Sequence, residues 1–544
     1  MRILRRMWKN RRHLGERLAN SLRRFTSDQA IQLDLDISDT SATIRKSRNS
    51  FITINRVPPE ILSLICTNLP SQENRHRASF VCRHWRRTFI QCPELWSELS
   101  LSNGEVYVKT FLERAKGTPL DIVVDHGVPV ETVALLSSLT KQIRSLDFLS
   151  CKWAEIQRFS EVVSGSLPLL YALTIDFMVG GGLDNVESTP PTLPLFSNAV
   201  NLKALHFHST WAYSPFILHL VFPNLVSFNF STEHWREFPA LPLFDFLEGS
   251  PVLQTVKVQV PVNISFEGVP EERVVSLPSV ENFTLIMNDG ESGYKMAVHI
   301  RCPSARVTSI VHKPRVAMFL EEIFPTPVSW NAIIRQYTTS PPEEATLEIR
   351  PDYTPLICKL VFESFDSTRI NLSFEVPVDS GEFVVPDIEP LIPKISAQAI
   401  QTIRNHPHLA NIKRLHICND FRSSGLIPDT ASPVRQLINS MGFLDEMSIY
   451  QCDPIPYLRL IPEDGNEGPA VFPSVKELTI SHPINLFDCQ ASIVGLAKSQ
   501  HSRGIPFERV VIRGAMVVEG MEEALTPWVG SVKYYREPAQ LGPI

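Results

Sequence analysis

The stretch PNLVSFNF, residues 223–230, decides the fold. Leu225, Phe228 and Phe230 follow an apolar-x-x-apolar-x-apolar pattern, and a proline leads by two residues. Side chains alternate along a strand, so Phe228 and Phe230 share one face and Asn229 takes the other. The phrase recurs as PLLYALTI (168–175), VNLKALHF (200–207), PVLQTVKV (251–258), PSVENFTL (278–285) and, more weakly, PSARVTSI (303–310). IRSLDF (143–148) precedes these copies, and WSELSL (96–101) reads as the first. IKRLHI (412–417), LDEMSI (444–449), PSVKELTI (473–480) and FERVVI (507–512) follow after a gap.

The starts are mostly about 23 to 32 residues apart, the range of repeat architectures built on one strand per unit. The residue between the last two apolar positions is expected to point away from the core. Those residues are Ser100, Asp147, Thr174, His206, Asn229, Lys257, Thr284, Ser309, His416, Ser448, Thr479 and Val511, and only the last is apolar. A stack of parallel strands with a polar outward row is what a solenoid predicts. A β-sandwich or a mixed α/β domain remains as an alternative. Residues 314–400 interrupt the array with many prolines, although ATLEIR and INLSFEV there still read as strands. The glycine-rich VGGGLDN (179–185) and the acidic PEDGNEGP (462–469) read as loops.

Ahead of the array, VPPEILSLICTNLPSQENRHRASFVCRHWRRTFIQCPELW (57–96) has a helical period. Pro58 and Pro59 suit a first helical turn, and Glu60 suits its dipole. Ile61, Leu62, Ile65 and Leu69 recur at helical spacing, Pro70 stops the run and SQEN reads as a turn. Ala78, Val81, Cys82, Trp85 and Phe89 form a second stripe, opposite a basic face of Arg75, Arg77, Arg83, Arg86 and Arg87. So small a helical piece cannot bury all these side chains alone.

This segment resembles an F-box, the module that docks a Skp-family adaptor of cullin–RING ubiquitin ligases. The matching residues are Pro58, Glu60, Ile61, Leu62, Ile65, Leu69, Val81, Cys82, Trp85, Pro93, Leu95 and Trp96. Val57 stands where the family usually has leucine. The resemblance implies adaptor binding through Pro58, Glu60, Ile61, Leu62, Ile65, Leu69, Val81, Trp85 and Trp96. The array behind it is similar to the irregular leucine-rich repeats of the large fungal F-box families, though the usual repeat asparagine is mostly missing. The fold expected is therefore α+β or α/β, a short helical F-box followed by an irregular leucine-rich-repeat-like solenoid. Its divisions would be a basic arm and linker (1–50), the F-box (51–98), a first repeat region (99–313), an insertion or degenerate repeats (314–400), a second repeat region (401–532) and a tail (533–544).

The chain has 544 residues, 43% hydrophobic and 20% charged, with a formal charge of −6. That composition is globular, and the charge disfavours a nucleic-acid binder, so no specific nucleic-acid partner is expected. Nine cysteines without a C-x-x-C pair fit free thiols in a reducing compartment, cytoplasm or nucleus. No apolar run is long enough for a membrane span. The N-x-[ST] sequons at Asn229, Asn263, Asn282 and Asn371 matter only in a secreted chain, which no signal peptide supports. The basic first 26 residues suit a solvated arm, an organellar transit peptide, a nuclear import signal or contact with an anionic membrane.

Catalytic signatures are weak. The glycine-rich loop lacks a following Lys-Ser/Thr, and neither G-x-S-x-G nor H-E-x-x-H occurs. His206 and His208, with His219 or His234, lack metal-ligand spacing. Cys82 has basic neighbours but lies on the apolar stripe. No cofactor is expected, and the chain is read as a non-catalytic receptor. Its target would meet Asp147, Thr174, His206, Asn229, Lys257, Thr284 and His416, with Trp211, Tyr213 and Trp235 as loop anchors. The competing function is an interaction scaffold outside any ligase, with the helical piece as a cap.

Overall fold

The computed structural model describes residues 27–69, 71–163, 165–177, 196, 199–209, 216–232, 238–260, 264–287, 290–312, 344–351, 356–363, 369–376, 412–419, 438, 441–450, 474–481, 486–514 and 520–536. The basic arm, the two loops singled out above, His234, Trp211, Tyr213 and Trp235 lie outside them. The chain divides into two compact units: residues 1–99 with 105–120, and residues 100–104 with 121–544. Among the described residues no helix is long and apolar enough to cross a membrane.

The first unit is helical. Helix α1 spans Ser27–Ser50, the stretch expected to be a linker. The segment contains no glycine or proline, Asp28 lies in its first turn and Arg48 in its last, as the helix dipole favours. Gln32 also bonds Asp36 one turn on, at 3.0 Å. Helix α2 (Pro59–Thr67) starts at the two prolines as expected. SQEN is not a turn: Ser71 accepts the Asn74 amide at 3.2 Å and caps helix α3 (Gln72–Ala78). Helix α4 (Arg83–Gln91) begins only after an extended Cys82, so Val81 sits in the connecting turn rather than on a helical stripe. A 3-10 turn at Pro93–Trp96 and helix α5 (Glu105–Ala115) complete the unit.

The second unit is built on a largely parallel sheet. Its strands are β2 (Leu120–Asp125), β3 (Ile143–Cys151), β4 (Ala172–Phe177), β5 (Ala204–Ser209), β6 (Ser227–Thr232), β8 (Thr255–Val260), β11 (Asn282–Met287) and β13 (Val307–His312). β1 is the short Glu98–Ser100 in the WSELSL copy. Short strands β7 (Phe238–Pro239) and β9 (Ile264–Ser265) pair with each other, as do β10 (Val275–Ser276) and β12 (Ile300–Arg301), giving two separate ladders. From β3 to β13 each neighbour in the main sheet is parallel.

The interruption takes a specific form. β14 (Glu344–Pro351), β15 (Leu356–Glu363) and β16 (Arg369–Val376) make an antiparallel meander inserted in reverse order. The last of the three pairs with β13, and the first pairs with β17 (Arg414–Asn419), both in parallel. The parallel run then resumes through β18 (Glu446–Tyr450), β19 (Glu477–Ser481), β20 (Arg509–Gly514) and β21 (Val532–Arg536). β21 thus carries strand pairing past residue 533, where the tail was expected to begin.

The three apolar positions are buried in every phrase but the weak PSARVTSI copy: Leu170, Leu173 and Ile175 in one, Leu225, Phe228 and Phe230 in another. The same holds for Leu444, Met447 and Ile449 near the far end. Phenylalanines thicken the core, with Phe228 against Phe246 at 4.6 Å and Phe148 edge-on to Phe159 at 5.0 Å. Helices and turns such as Trp153–Val162, Ala240–Glu248 and Leu486–Ser502 occupy the connections.

Gly530 marks a tight passage between neighbouring connections. A Cβ there would lie 2.7 Å from the backbone oxygen of Glu508, whereas one at Gly442 would meet nothing within 4 Å. Gly530→Ala is expected to destabilise the protein by about 1–3 kcal/mol, the usual scale of overpacking, and Gly442→Ala by almost nothing. Thermal denaturation of both variants checks this; equal melting temperatures would remove the close approach.

Candidate functional site

Two surfaces carry the residues singled out in the sequence. The first is the helical module. Its interior is organised by Trp96, which donates from Nε1 to the Phe89 carbonyl at 3.0 Å. Trp96 lies edge-on to Phe89 at 4.9 Å and to Phe111 at 4.7 Å, and Arg114 caps its ring at 4.3 Å. Arg75 pairs with Glu98 at 2.6 Å, and Gln72 donates to the Glu98 carbonyl at 2.5 Å, which ties α3 to the strand that follows.

The nine expected adaptor residues do not share one face. Leu62 (0% exposed) and Trp96 (3% exposed) are core side chains, packed with Cys66, Ala78, Phe89 and Leu95. Leu69 and Trp85 are half-buried. The Trp85 indole donates to Asn55 Oδ1 at 2.7 Å, pinning α4 to the preceding turn. Pro58, Glu60, Ile61, Ile65 and Val81 are exposed. Helix α2 is therefore two-sided: Leu62 and Cys66, one turn apart, face in, while Ile61, Leu64 and Ile65 face out. Spacings of three and four fit either side, so the sequence merged them into one stripe. Leu64 and Phe80 (59% and 62% exposed) were missed. Ile52, Ile54 and Ile90 are also exposed large apolar side chains of this unit. A run of big apolar residues left over after the core is filled is the signal that could have found them.

Burial raises the thiol pKa of Cys66 and Cys92, and Cys92 Sγ also bonds Glu94 at 3.1 Å. Both are core groups rather than nucleophiles. Cys82 is half-buried just ahead of α4, not on an interior stripe.

The second surface is the outward row of the sheet. Register joins Asp147 to Thr174, Thr174 to His206, His206 to Asn229, Asn229 to Lys257, and Lys257 to Thr284. It continues through Ser309, Asn371, Val361 and Thr346 to His416, then Ser448, Thr479, Val511 and Lys533. One residue per strand thus runs unbroken across both the parallel runs and the meander. Its environment changes along the way. His206 and Lys257 are exposed, and Asp147, Thr174, Asn229 and Thr284 are half-exposed. Ser448, Thr479 and Val511 are buried (0%, 4% and 3% exposed), so those strands are covered on both faces and the expected solvent-facing row ends before them. His416, half-buried, sits at the transition.

Asn229 Nδ2 donates to His206 Nε2 at 3.2 Å, fixing the ring. Although its side chain reaches solvent, partial desolvation lowers the His206 pKa, and His208 and Lys257 lower it further against Asp176 and Asp147. His219 is exposed in the Phe216–His219 turn. Among the described residues no three His, Cys, Asp or Glu side chains gather to hold a metal.

A family model described as F-box-like matches residues 54–102, the span of the helical module. No curated protein matches the chain.

Leu62→Ala should destabilise by about 2–5 kcal/mol, as core truncations do, whereas Ile61→Ala should leave the melting temperature almost unchanged. Calorimetry of the pair separates interior from surface; similar losses in both would contradict the two-sided helix. The depressed His206 pKa has a signed consequence. Its contribution to stability is fully present above the ordinary histidine value of about 6.5 and is lost as pH falls through the lower folded-state value. The melting-temperature difference between wild type and His206→Gln, followed from pH 8 to pH 5, should grow only on the acid side; a flat difference would refute it.

Proposed function

We propose that the chain is a substrate receptor of an SCF-type ubiquitin ligase, its helical module docking a Skp-family adaptor and its sheet unit holding a target protein. F-box proteins are usually non-catalytic, and this chain would supply proximity between target and transfer machinery rather than bond chemistry. The carrying observation is the exposure of Ile61, Leu64, Ile65, Phe80 and Val81 on a module of F-box-like sequence. These side chains are large and apolar, and the module's own core is already filled by Leu62, Phe89 and Trp96. A cap that served only its own chain would have no use for them. In this reading Pro58 and Glu60 flank the docking face, Trp85 braces it from beneath, and Leu62 and Trp96 act only by holding α2 and α4 in place.

The sheet unit is read as an irregular leucine-rich-repeat-like solenoid. One strand per unit, a constant register and connections carrying helices support it. Target recognition then falls to the open part of the outward row, from Asp147 to Thr284.

Docking is tested by adaptor capture with the full chain. An aspartate at buried position 62 would unfold the module, so the informative variant is Ile61→Asp with Phe80→Asp. Placing charges in an apolar interface should reduce capture by about tenfold or more, while the melting temperature holds. Undiminished capture by this folded variant would overturn the receptor reading in favour of a scaffold that works outside a ligase.

A further inference from the structure

The open outward face is electrically polarised. Asp147 on β3 and Asp176 on β4 stand at one side, and Lys257 on β8 stands at the other. No hydrogen bond or ion pair engages these three side chains among the described residues, whereas the nearby Asp121 is taken up by Arg144 through two hydrogen bonds. Between the acidic and basic ends lie His206 and His208 on β5 and Asn229 on β6. Desolvation lowers the His206 pKa, which disfavours a further charge between the two ends.

The adjacent outward row is built of small residues. Ser145, Ala172, Ala204 and Ser227 are aligned strand to strand and half-exposed. A floor of Ser and Ala lets a main chain approach the sheet closely, alongside the longer polar side chains of the next row. Lys203 and Glu281 lie just before their strands, outside both rows.

We infer that this face takes an extended protein segment laid across the strands, with a Lys or Arg over Asp147 and Asp176 and an Asp or Glu over Lys257. The inference rests on the receptor reading and specifies its target. Geometry sets the spacing. Neighbouring strands lie about 4.8 Å apart, so three steps and a two-residue offset along the strand separate Asp176 from Lys257 by about 16 Å, and four steps separate Asp147 from it by about 19 Å. An extended chain advances about 3.3 Å per residue, which places the two charges roughly four to six residues apart. Complementary charges of this kind set register and select partners more than they add raw affinity.

The test uses the full chain and synthetic ten-residue peptides. Each carries one Lys and one Glu at varied separation on a Ser/Ala/Thr background, with Lys-only and Glu-only controls. Fluorescence anisotropy at low salt should favour a separation of four to six residues and one order of the two charges along the peptide. The triple variant Asp147→Lys, Asp176→Lys, Lys257→Glu should favour the opposite order. Those positions are exposed or half-exposed, and an unchanged melting temperature and unchanged adaptor capture show that the variant is folded. Preference for one sign of charge alone, indifference to spacing, or the same order preferred by wild type and variant would each overturn the inference. Adaptor capture reports separately on the receptor reading, so the two can fail independently.

Discussion

Parallel strand register is the constraint on which the sheet unit depends. Each strand's backbone groups are satisfied only by the strands beside it, and a slip of one residue would carry Phe228 and Phe230 to the wrong face. The connections hold the same register. Tyr171 donates its amide to Arg144, Lys203 to Tyr171, Val226 to Lys203 and Gln254 to Val226, one unit after another. Side chains reinforce the stack at its turns. Asn201 Nδ2 donates to the Pro168 carbonyl at 2.7 Å, and Asn224 Nδ2 to the Val200 carbonyl at 2.9 Å. Ser474 does the same for Leu444 at 2.9 Å. The meander obeys the rule as well: reversing its strand order lets its outer strands run parallel to β13 and β17, so only β15 runs against the sheet.

The helical module solves a different problem. It is too small to bury every large apolar residue it contains, and the structure divides them. Leu62, Phe89 and Trp96 make the interior, with Trp96 satisfying its indole against the Phe89 carbonyl. Ile61, Leu64, Ile65 and Phe80 remain outside. The division follows from cap geometry: an extended Cys82 starts α4 afresh, so Val81 cannot continue the stripe of Ala78 and is left in a turn beside Phe80.

Much of the strand pattern was legible because the buried triplet and the alternation of a strand are both local. Every phrase quoted above falls on or beside a strand, and the outward residues named from alternation proved to be register partners. β2 escaped because LDIVVD, although Pro119 precedes it, lacks the three-residue step. β15 escaped because its neighbours, not its own composition, determine its place. Helix α1 was read as linker because its acidic residues suggest solvent, although they are equally at home on an exposed helix. The faces of α2 could not be separated from spacing alone. The change from an open row to a buried one at Ser448 was also illegible, since alternation states which side a residue takes and not what lies against it.

That change bears on where recognition can reside. Around β18 to β20 the outward row is buried, and the part-exposed charges beside it pair across neighbouring units, Lys476 with Asp445 at 3.3 Å and Arg509 with Glu477 at 2.5 Å. Part-exposed pairs of this kind add little stability, but each charge already has a counterion and so has less to offer a partner. Between β3 and β11 Asp147, Asp176 and Lys257 have no ion pair or hydrogen bond among the described residues and stay at least partly accessible, beside a row of small side chains. The same repeated phrase thus serves two ends. Where the outward positions are buried the sheet offers no open face, and where they stay exposed it keeps a face with chemistry to spare.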